Sequence, residues 1–600
     1  MISVRQKKGD AITARLFQNA MLTMLVAELS GAFTAVIDGI ITGQFLGPVS
    51  LAAFGIGTPY FSIASIVSGI LMVGSTAMCT RAIGRGDKTE LTRVFSLTIL
   101  LGAVASVLLA ALGFGFADSL ASLFGAKASA SSLHGQTAQY LRGIFLGAPG
   151  FIMFVILTPL LQLDGDSLRP QLASIVMAIV DIGGDVLNVT VFKGGLFGMA
   201  LASTFSHYAA LLVLLTHFIK KSDLFTFSLR EVGLKTAPKL MSDGLPRAAC
   251  MLCRGILPIV INSLALKLAG DSGVAAYSTM NSTTFVVGSL GWGIGGAVLI
   301  MGGMTVGEQD TRGLVTVIKT ALKDILIGVV LLAAAVFAAA PLIAGLFITE
   351  AGEIRDMAAA AIRCYAAALP FLAFNVSASN HFQSISRKAE AYAVNICIEL
   401  VCTALAALAL SSFIGVTGLW LAFPTGQALL SLAIALRAVF GRDGKRKGLA
   451  SFLMLRKDFG VNENDCVERS VVSMDDVIAL SVDVGEFCSS HGIGKKEANR
   501  VALCIEEMAG NVVEHGFADG KPHHLDVRVI VKDGKTVLRM RDDCAFFDLR
   551  EQAKKWSFDP EHPEKNIGIR MVMGASEDVV YTRTMKTNNL IVTVKKENAS

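Results

Sequence analysis

The stretch Leu436-Arg-Ala-Val-Phe-Gly-Arg-Asp-Gly-Lys-Arg-Lys-Gly448 divides the 600-residue chain into two parts. Long apolar segments with few charges precede it, and the sequence that follows has the composition of an ordinary water-soluble domain. The stretch itself contains five basic residues and one acidic residue. A basic cluster that follows a membrane span normally stays on the cytoplasmic side, beside anionic lipid head groups. We therefore predict a membrane part, a basic linker and then a cytoplasmic domain.

The overall composition supports this division. Charged residues make up 17% of the chain and the mean hydropathy is +0.59, whereas soluble proteins carry roughly 25% charged residues. The net charge of +5 is explained by basic residues in loops that flank membrane spans, so no nucleic-acid partner is expected. The ten cysteines show no spacing typical of a disulfide framework or a metal site.

Twelve apolar stretches are each long enough to cross a bilayer, which takes roughly 20 residues per helix. Basic residues are concentrated in alternate connecting loops, as expected for loops on the cytoplasmic side. An even number of spans, with basic residues at both ends, predicts a multi-pass protein of the cell membrane with both termini in the cytoplasm. The centres of the stretches lie near Met24, Ile66, Ala105, Phe151, Ile179, Ala209, Pro258, Leu290, Val330, Phe371, Leu400 and Ala428.

The membrane part repeats itself. Ala52-Ala-Phe54 recurs as Ala275-Ala-Tyr277, and Gly84-Arg-Gly-Asp87 recurs as Gly307-Glu-Gln-Asp310, each displaced by 223 residues. Because six is an even number, a duplicated six-helix bundle gives two halves with the same orientation in the membrane. We therefore predict two parallel repeats around a central cavity that opens alternately to each side.

These motifs resemble those of the multidrug and toxic compound extrusion (MATE) transporters. The resemblance is carried by Asp38-Gly-Ile-Ile-Thr-Gly-Gln-Phe-Leu-Gly47, by Leu51-Ala-Ala-Phe54, by Gly84-Arg-Gly-Asp87 and by Gly195-Leu-Phe-Gly-Met-Ala-Leu-Ala202. It covers roughly residues 10 to 440. It implies an antiporter, driven by H⁺ or Na⁺, that expels a small amphipathic and often cationic organic compound across the lipid bilayer.

Three carboxylates within the predicted membrane spans are the candidate sites of cation coupling. Asp38 matches the acidic residue of the first helix that such transporters use for coupling, and Asp185 matches a recurrent acidic position. Asp181 stands four residues before Asp185, so that both share one face of the fifth helix. Two carboxylates one turn apart can share a proton or chelate a cation. A helix-end aspartate and a polar packing patch are the alternative interpretations of these residues.

The residues after Ser451 change periodicity and predict an α+β sandwich. Ser473-Met-Asp-Asp476 is typical of a helix start, and helices are expected at 477–491 and 497–513. Alternating apolar residues predict strands at 525–531, 536–541, 579–584 and 590–595. The fold class is therefore an all-α polytopic membrane protein with 12 transmembrane helices in two six-helix repeats, plus a C-terminal α+β sandwich.

This C-terminal part resembles the Bergerat ATP-binding fold of histidine kinases and anti-sigma-factor serine kinases. The motifs are Glu506-Glu-Met-Ala-Gly-Asn511, Arg541-Asp-Asp-Cys544 and Asn566-Ile-Gly568-Ile-Arg-Met-Val572. The resemblance implies that Glu507 positions water or acts as a base, that Asn511 ligates Mg²⁺, and that Asp542 accepts the adenine amino proton. Gly568 belongs to the lid motif.

Three departures from that pattern predict weak nucleotide binding. Cys544 stands for a glycine, Phe546 for a small residue or proline, and Asn566 for the first glycine of the lid. Glycines in these motifs let the backbone approach phosphate closely. We therefore expect ATP with Mg²⁺ as a cofactor of low affinity, without kinase or ATPase turnover. Complete loss of nucleotide binding is the alternative.

The expected function is a cation-coupled antiporter that exports amphipathic organic compounds and is regulated by its C-terminal domain. The absence of a G-x-x-x-x-G-K-[ST] motif from the sequence argues against an ATP-driven pump. The alternatives are a membrane-anchored sensor with a kinase-like or anti-sigma-like output and a cytoplasmic partner protein, and a flippase for lipid-linked precursors. The expected domains are residues 1–220 (first bundle), 221–246 (inter-bundle loop), 247–440 (second bundle), 441–450 (basic linker) and 451–600 (ATP-binding-type domain).

Overall fold

A computed structural model describes most of the chain. The basic linker at 441–450 and the residues Phe546 and Asn566 lie outside the described residues. The described residues are 2–57, 59–124, 126, 131–219, 224–348, 352–440, 453–455, 459–461, 463–518, 523–532, 535–545, 567–584 and 587–594.

The described residues of the membrane part form helices and the short loops between them. Its first half contains α1 (Ile2–Ile41), α2 (Pro48–Gly57), α3 (Pro59–Arg85), α4 (Lys88–Gly115), α5 (Ala117–Leu123), α6 (Ser131–Phe145), α7 (Ala148–Leu163), α8 (Leu168–Leu187) and α9 (Gly195–Leu215). Its second half contains α10 (Ala237–Val287), α11 (Ser289–Gly307), α12 (Thr311–Asp324), α13 (Val330–Phe347), α14 (Glu353–Ser384), α15 (Lys388–Ile396) and α16 (Cys402–Phe440). Five-residue π-helical turns extend α1 and α8 and join α12 to α13 and α15 to α16.

Nine helical segments of the described chain are long and apolar enough to cross a membrane, and the bent pair α6–α7 makes a tenth. The segment 388–440 is two helices, because Gly415 has a φ of 60° and interrupts it. A φ in this region is readily adopted only by glycine. The predicted polytopic helical fold is confirmed, and the number of twelve spans stays a prediction. Helix α10 already begins at Ala237, so the second part of the predicted loop 221–246 is helical.

The two repeated motifs have the same structural role. The Asp87 side chain accepts a hydrogen bond from the backbone N–H of Glu90 at 2.9 Å and caps α4. The Asp310 side chain accepts one from the backbone N–H of Gly313 at 3.0 Å and caps α12. Each aspartate satisfies an N–H group that the first turn of its helix leaves without a partner. The displacement of 223 residues is therefore a repeat of structure as well as of sequence.

The C-terminal domain is a five-stranded antiparallel sheet with helices on one face. Its strands lie in the order β1-β2-β3-β5-β4, and the predicted two helices and four strands are confirmed. The helix α19 and the strand β1 were not predicted. The elements are β1 (Cys466–Val471), α17 (Met474–Ser490), α18 (Lys495–Asn511), β2 (Leu525–Lys532), β3 (Lys535–Asp542), α19 (Ile567–Ala575), β4 (Ser576–Thr584) and β5 (Thr587–Val594).

The two faces of this sheet have different partners. Alternate apolar residues such as Val527, Leu538 and Val592 are buried against α17, α18 and α19 and form the core of the domain. The residues between them, among them Arg528 and Arg539, point to the opposite face, because successive side chains of a strand alternate. That second face lies against the membrane part, as described below.

Candidate functional site

Asp38, Asp181 and Asp185 lie together inside the first bundle. Asp38 is on α1 and the two others are on α8, which packs alongside α1. Their exposed fractions are 6%, 3% and 0%. The carboxyl groups of Asp38 and Asp185 face each other, and Asp181 lies one helical turn away. We call these three residues the acid cluster.

Residues from two further helices complete the surroundings of the acid cluster. The hydroxyl of Tyr140, on α6, lies within electrostatic reach of all three carboxyl groups, and the hydroxyls of Ser203 and Ser206, on α9, face Asp181. Sequence analysis missed these three residues because common hydroxyl side chains carry no spacing signal. Only the packing of α9 against both α6 and α8 brings them to the carboxylates.

The acid cluster contains carboxylate oxygens that can bind a cation. Asp38 Oδ1, Asp181 Oδ1 and both oxygens of Asp185 are buried, and none of them has a hydrogen-bond partner among the described residues. A buried carboxylate without a partner is costly, and neighbouring carboxylates disfavour each other's charged form. A proton on one oxygen, or a Na⁺ ion held between several, relieves both costs. The residues therefore fit either coupling ion.

A cavity of about 1430 Å³ lies between the two bundles. Helices of both halves form its wall, which is largely apolar and includes Met24, Phe61, Phe154 and Phe423. Gly39 and Met177 also belong to the wall. Gly39 follows Asp38 directly, and Met177 precedes Asp181 by one helical turn, so that the acid cluster lies immediately behind the cavity wall.

One end of the two bundles is held together by ion pairs. An Arg81 guanidinium nitrogen at the end of α3 lies 2.5 Å from a carboxylate oxygen of Asp243, on α10. The Lys388 ammonium group, at the start of α15, contacts the other Asp243 oxygen at 2.7 Å. The cavity reaches in the opposite direction, to Ile40 and Phe347 at the far ends of α1 and α13. Arg81 therefore links the first half to the second at the end opposite to these residues.

The predicted nucleotide-binding residues lie around one edge of the C-terminal domain. Glu507 and Asn511 are one turn apart on α18, and neither side chain is fully buried. Gly568, the second residue of α19, lies against Glu507, so that a Cβ added at position 568 would force the Glu507 carboxylate to move. The structure thus brings the lid motif onto the helix that carries Glu507.

Asp542 ends β3 and is 7% exposed. Its Oδ1 accepts hydrogen bonds from the Asn588 amide at 2.7 Å and from the Cys544 backbone N–H at 3.0 Å. Burial raises the pKa of Asp542 above its ordinary value, although these hydrogen bonds act in the opposite direction. Asn588 Oδ1 is buried without a hydrogen-bond partner among the described residues. A hydrogen-bond acceptor, Asn588 Oδ1, is therefore available where the adenine ring is expected, and the residues fit an adenine nucleotide.

The second face of the sheet docks on the membrane part. Glu308, which follows α11, lies 2.5 Å from a guanidinium nitrogen of Arg539 and 2.5 Å from one of Arg541. Arg528 lies 3.5 Å from Asp310. These charged side chains are almost fully buried, with between 5% and 12% of each side chain exposed. We call this arrangement the sheet interface.

The sheet interface also reaches the first half of the membrane part. A Cβ added at Gly86 would lie 3.3 Å from both Val580 and Ile591, so that the loop between α3 and α4 lies directly against β4 and β5. Gly86 and Gln309 occupy the same position in the two repeated motifs. The sheet therefore contacts equivalent loops of both halves.

One further group of side chains could bind a metal ion. Ligand atoms of His523, Asp543 and Cys544 lie within 4.8 Å of one another. His523 Nδ1 and Asp543 Oδ1 are 3.2 Å apart, which is a hydrogen bond. This contact accounts for the proximity of these two side chains without an ion.

Comparison with family models supports both parts of this description. The model described as MatE matches residues 23–187 and 246–408, and so covers both bundles. The model described as a histidine kinase-like ATPase domain matches residues 473–595. The resemblances inferred from the sequence motifs are thereby confirmed for both the membrane part and the C-terminal domain.

Curated relatives of the chain agree with the match to the MatE model. The chain is 24% identical over 264 residues to the multidrug export protein MepA of Staphylococcus aureus (strain bovine RF122 / ET3-1), an alignment that covers 43% of the chain and 58% of that protein. It is 25% identical over 263 residues to MepA of Staphylococcus saprophyticus subsp. saprophyticus, with 43% and 57% covered. The chain therefore spans somewhat more than half the length of these relatives.

Two solved structures share the fold of the membrane part. A MATE protein in complex with MaL6 superimposes with a TM-score of 0.66 at 23% identity, and covers 70% of this chain and 94% of its own. An outward-facing multidrug resistance MATE family transporter of the MOP superfamily gives 0.65 at 23% identity, with the same shares covered. Since the MatE model matches more than half of the residues, the chain belongs to the MatE family.

Proposed function

We propose that the protein is a secondary antiporter that exports small amphipathic organic compounds in exchange for H⁺ or Na⁺. The observation that carries the proposal is the position of the acid cluster directly behind the wall of the cavity. Binding of a cation to Asp38, Asp181 and Asp185 changes the charge between α1 and α8, two helices that also form part of that wall. A change in their packing would alter the cavity, which is the coupling that an antiporter needs.

The names of the relatives support the direction of transport. MepA is described as a multidrug export protein, and one structural neighbour as a multidrug resistance transporter. The largely apolar wall of the cavity suits the apolar body of such compounds. The test is transport by the purified full chain in lipid vesicles, with pH and Na⁺ gradients imposed separately. Absence of uptake under both gradients would contradict the proposal.

We further propose that the C-terminal domain regulates transport without powering it. Alternating access requires the two bundles to move relative to each other. The sheet contacts equivalent loops of both bundles and holds Glu308 between two arginines, so its docking favours the arrangement in which these loops are close together. Adenine nucleotide with Mg²⁺ would be held by Glu507, Asn511 and Asp542, beside the lid motif at Gly568. Release of the sheet interface would then change the transport rate.

The proposed location is the cytoplasmic membrane, with both termini in the cytoplasm. The support is the basic tract at 437–447 and the content of basic residues in alternate loops. A reporter fused after Ser600 should be accessible only from the inside of intact cells. Exclusive accessibility from the outside would reverse the proposed orientation.

A membrane sensor is the second candidate function, and the sheet interface favours it as well. A bundle that binds a ligand could pass its change of shape to the C-terminal domain through Glu308, and a cytoplasmic regulatory protein would then receive the signal. The two functions differ in the residues they require. A sensor needs Glu507 and not the cation chemistry of Asp38, whereas a transporter needs Asp38.

A further inference from the structure

We propose that the cavity binds its substrate through an anionic group, held by Arg247 and Arg254 beside Trp292. The substrates would then be amphiphiles that carry a carboxylate, sulfonate or phosphate group, and not the simple cations that the family resemblance implies. This inference rests on the proposed function only in taking the cavity for the substrate site.

The two arginines form a pair on one wall of the cavity. They are seven residues apart on α10, which is roughly two helical turns, so both side chains leave the same face of the helix. Both line the cavity, as does Trp292 of α11. The guanidinium carbon of Arg247 lies 4.8 Å from the centre of the Trp292 ring, and that of Arg254 lies 5.6 Å from it. Both guanidinium groups thus contact the same indole ring.

The position of the indole disfavours a cationic ligand at this wall. An exposed tryptophan face would attract a cation, but two guanidinium groups already lie over the Trp292 ring. A third cation brought to the same place would be repelled by both. A planar anion would instead meet two forks of N–H donors, the arrangement in which arginine recognises carboxylate and phosphate.

The carboxylates of the cavity wall, Glu399 and Glu28, both lie within electrostatic reach of Arg254. Glu399 Oε2 lies 3.9 Å from Arg254 Nε, and the Cys250 thiol donates to Glu399 Oε1 at 3.4 Å. Among the described residues, no carboxylate lies within 4.0 Å of Arg247. Glu28 of α1 is the other carboxylate of the wall. Arg247 is therefore placed to receive a negative charge from a ligand, and 43% of the Arg254 side chain is exposed.

The rest of the cavity accommodates the apolar body of an amphiphile. Met24, Phe61, Phe151 and Phe154 also line it. Its volume of about 1430 Å³ exceeds the usual range for small-molecule sites, which is roughly 300 to 1,000 Å³. A molecule with several rings or a long chain therefore fits with its acidic group at the Arg247–Arg254 pair.

The test compares two probes of matched shape and opposite charge, 1-pyrenebutyrate and 1-pyrenebutylammonium. Binding to the detergent-solubilised full chain is followed by energy transfer from tryptophan to pyrene, without any ion gradient. We expect pyrenebutyrate to bind at least tenfold more tightly than the ammonium probe. Arg247→Gln should weaken its binding at least tenfold, since a charge-assisted contact is lost. Equal affinity for both probes, or tighter binding of the cation, would overturn the proposal.

Matched variants separate recognition from folding. Arg363 lies over Phe337 at 5.8 Å in a similar cation–π contact and does not line the cavity, so Arg363→Gln should leave the affinity for pyrenebutyrate unchanged. Glu399→Gln removes a competing carboxylate and should strengthen binding of the anion. If Arg254→Gln misfolds because Glu399 loses its partner, the double variant Arg254→Gln/Glu399→Gln restores the charge balance and should still bind weakly. Unchanged affinity in Arg247→Gln and in this double variant would refute the role of the pair.

The outcome is distinguishable from failure of the proposed function. Anion binding without gradient-driven movement would contradict export and leave this inference intact. Gradient-driven export of the ammonium probe without anion binding would support export and contradict the inference.

Discussion

Gly84 at the end of α3 and Gly307 at the end of α11 lie backbone to backbone. A Cβ added at Gly84 would lie 2.7 Å from the Gly307 Cα, and one added at Gly307 would lie 2.9 Å from the Gly84 Cα. These two glycines occupy the same position in the two repeated motifs. The repeats therefore meet in a close backbone contact, beside the Arg81–Asp243 ion pair and the sheet interface.

A side chain at this contact should force the two bundles apart. We expect Gly84→Ala to lower the free energy of unfolding by roughly 1 to 3 kcal/mol, the usual cost of overpacking, because the backbone of α11 leaves no room for a methyl group. Thermal unfolding of the full chain in detergent measures the change. Gly255→Ala is the matched control, since no atom lies within 4 Å of the added Cβ, and it should be neutral or slightly stabilising. Equal melting temperatures of the two variants would contradict the close contact.

The sheet interface should depend on Glu308. Glu308→Gln leaves Arg539 and Arg541 buried without their negative partner, and breaking a buried pair in this way costs about 3 to 5 kcal/mol. We expect faster hydrogen exchange of the amides at 307–310 and in β3, and an altered transport rate. Asp118→Asn breaks the exposed pair between Arg142 and Asp118 and should have little effect, because exposed pairs contribute about 0 to 1 kcal/mol.

Unchanged exchange in Glu308→Gln would show that this ion pair does not hold the domain on the membrane part. Unchanged transport with faster exchange would show instead that docking is not regulatory, and the sensor function would then gain support.

Asp542 offers a test of nucleotide binding with little risk to folding. Burial raises the pKa of Asp542 in the folded protein above its value in the unfolded chain. The folded protein is therefore more stable with Asp542 neutral, and it loses stability as the pH rises and the carboxyl group ionises. Asp542→Asn should therefore not lower the melting temperature of the full chain at pH 7. We expect the wild type to bind ATP with Mg²⁺ weakly, without hydrolysis, and the variant to lose this binding.

Calorimetric titration of ATP into the full chain measures both affinities. No heat from the wild type at millimolar ATP, or equal heat from the two proteins, would indicate that the domain has the fold but does not bind ATP at this site.

The sequence was most informative where a pattern has a long period. Hydropathy, the displacement of 223 residues and the alternation in β2 and β3 predicted the helices, the repeats and the sheet. All three residues of the acid cluster were candidates from the sequence, Asp38 and Asp185 through the family resemblance and Asp181 because it shares a helix face with Asp185, whereas the contribution of Tyr140 depends on how α6 packs. The Arg247–Trp292 contact and the sheet interface join residues far apart in the chain with no local signal. Only the three-dimensional fold shows them.

The central claim is that a cation bound at the acid cluster drives export. Asp38→Asn keeps the volume of the side chain and removes its charge, and should leave the fold intact. Uptake of a substrate is measured in lipid vesicles that contain the purified full chain, with a pH gradient or a Na⁺ gradient imposed. We expect the wild type to respond to at least one gradient and the variant to lose that response. Undiminished gradient-driven transport by Asp38→Asn would contradict the account.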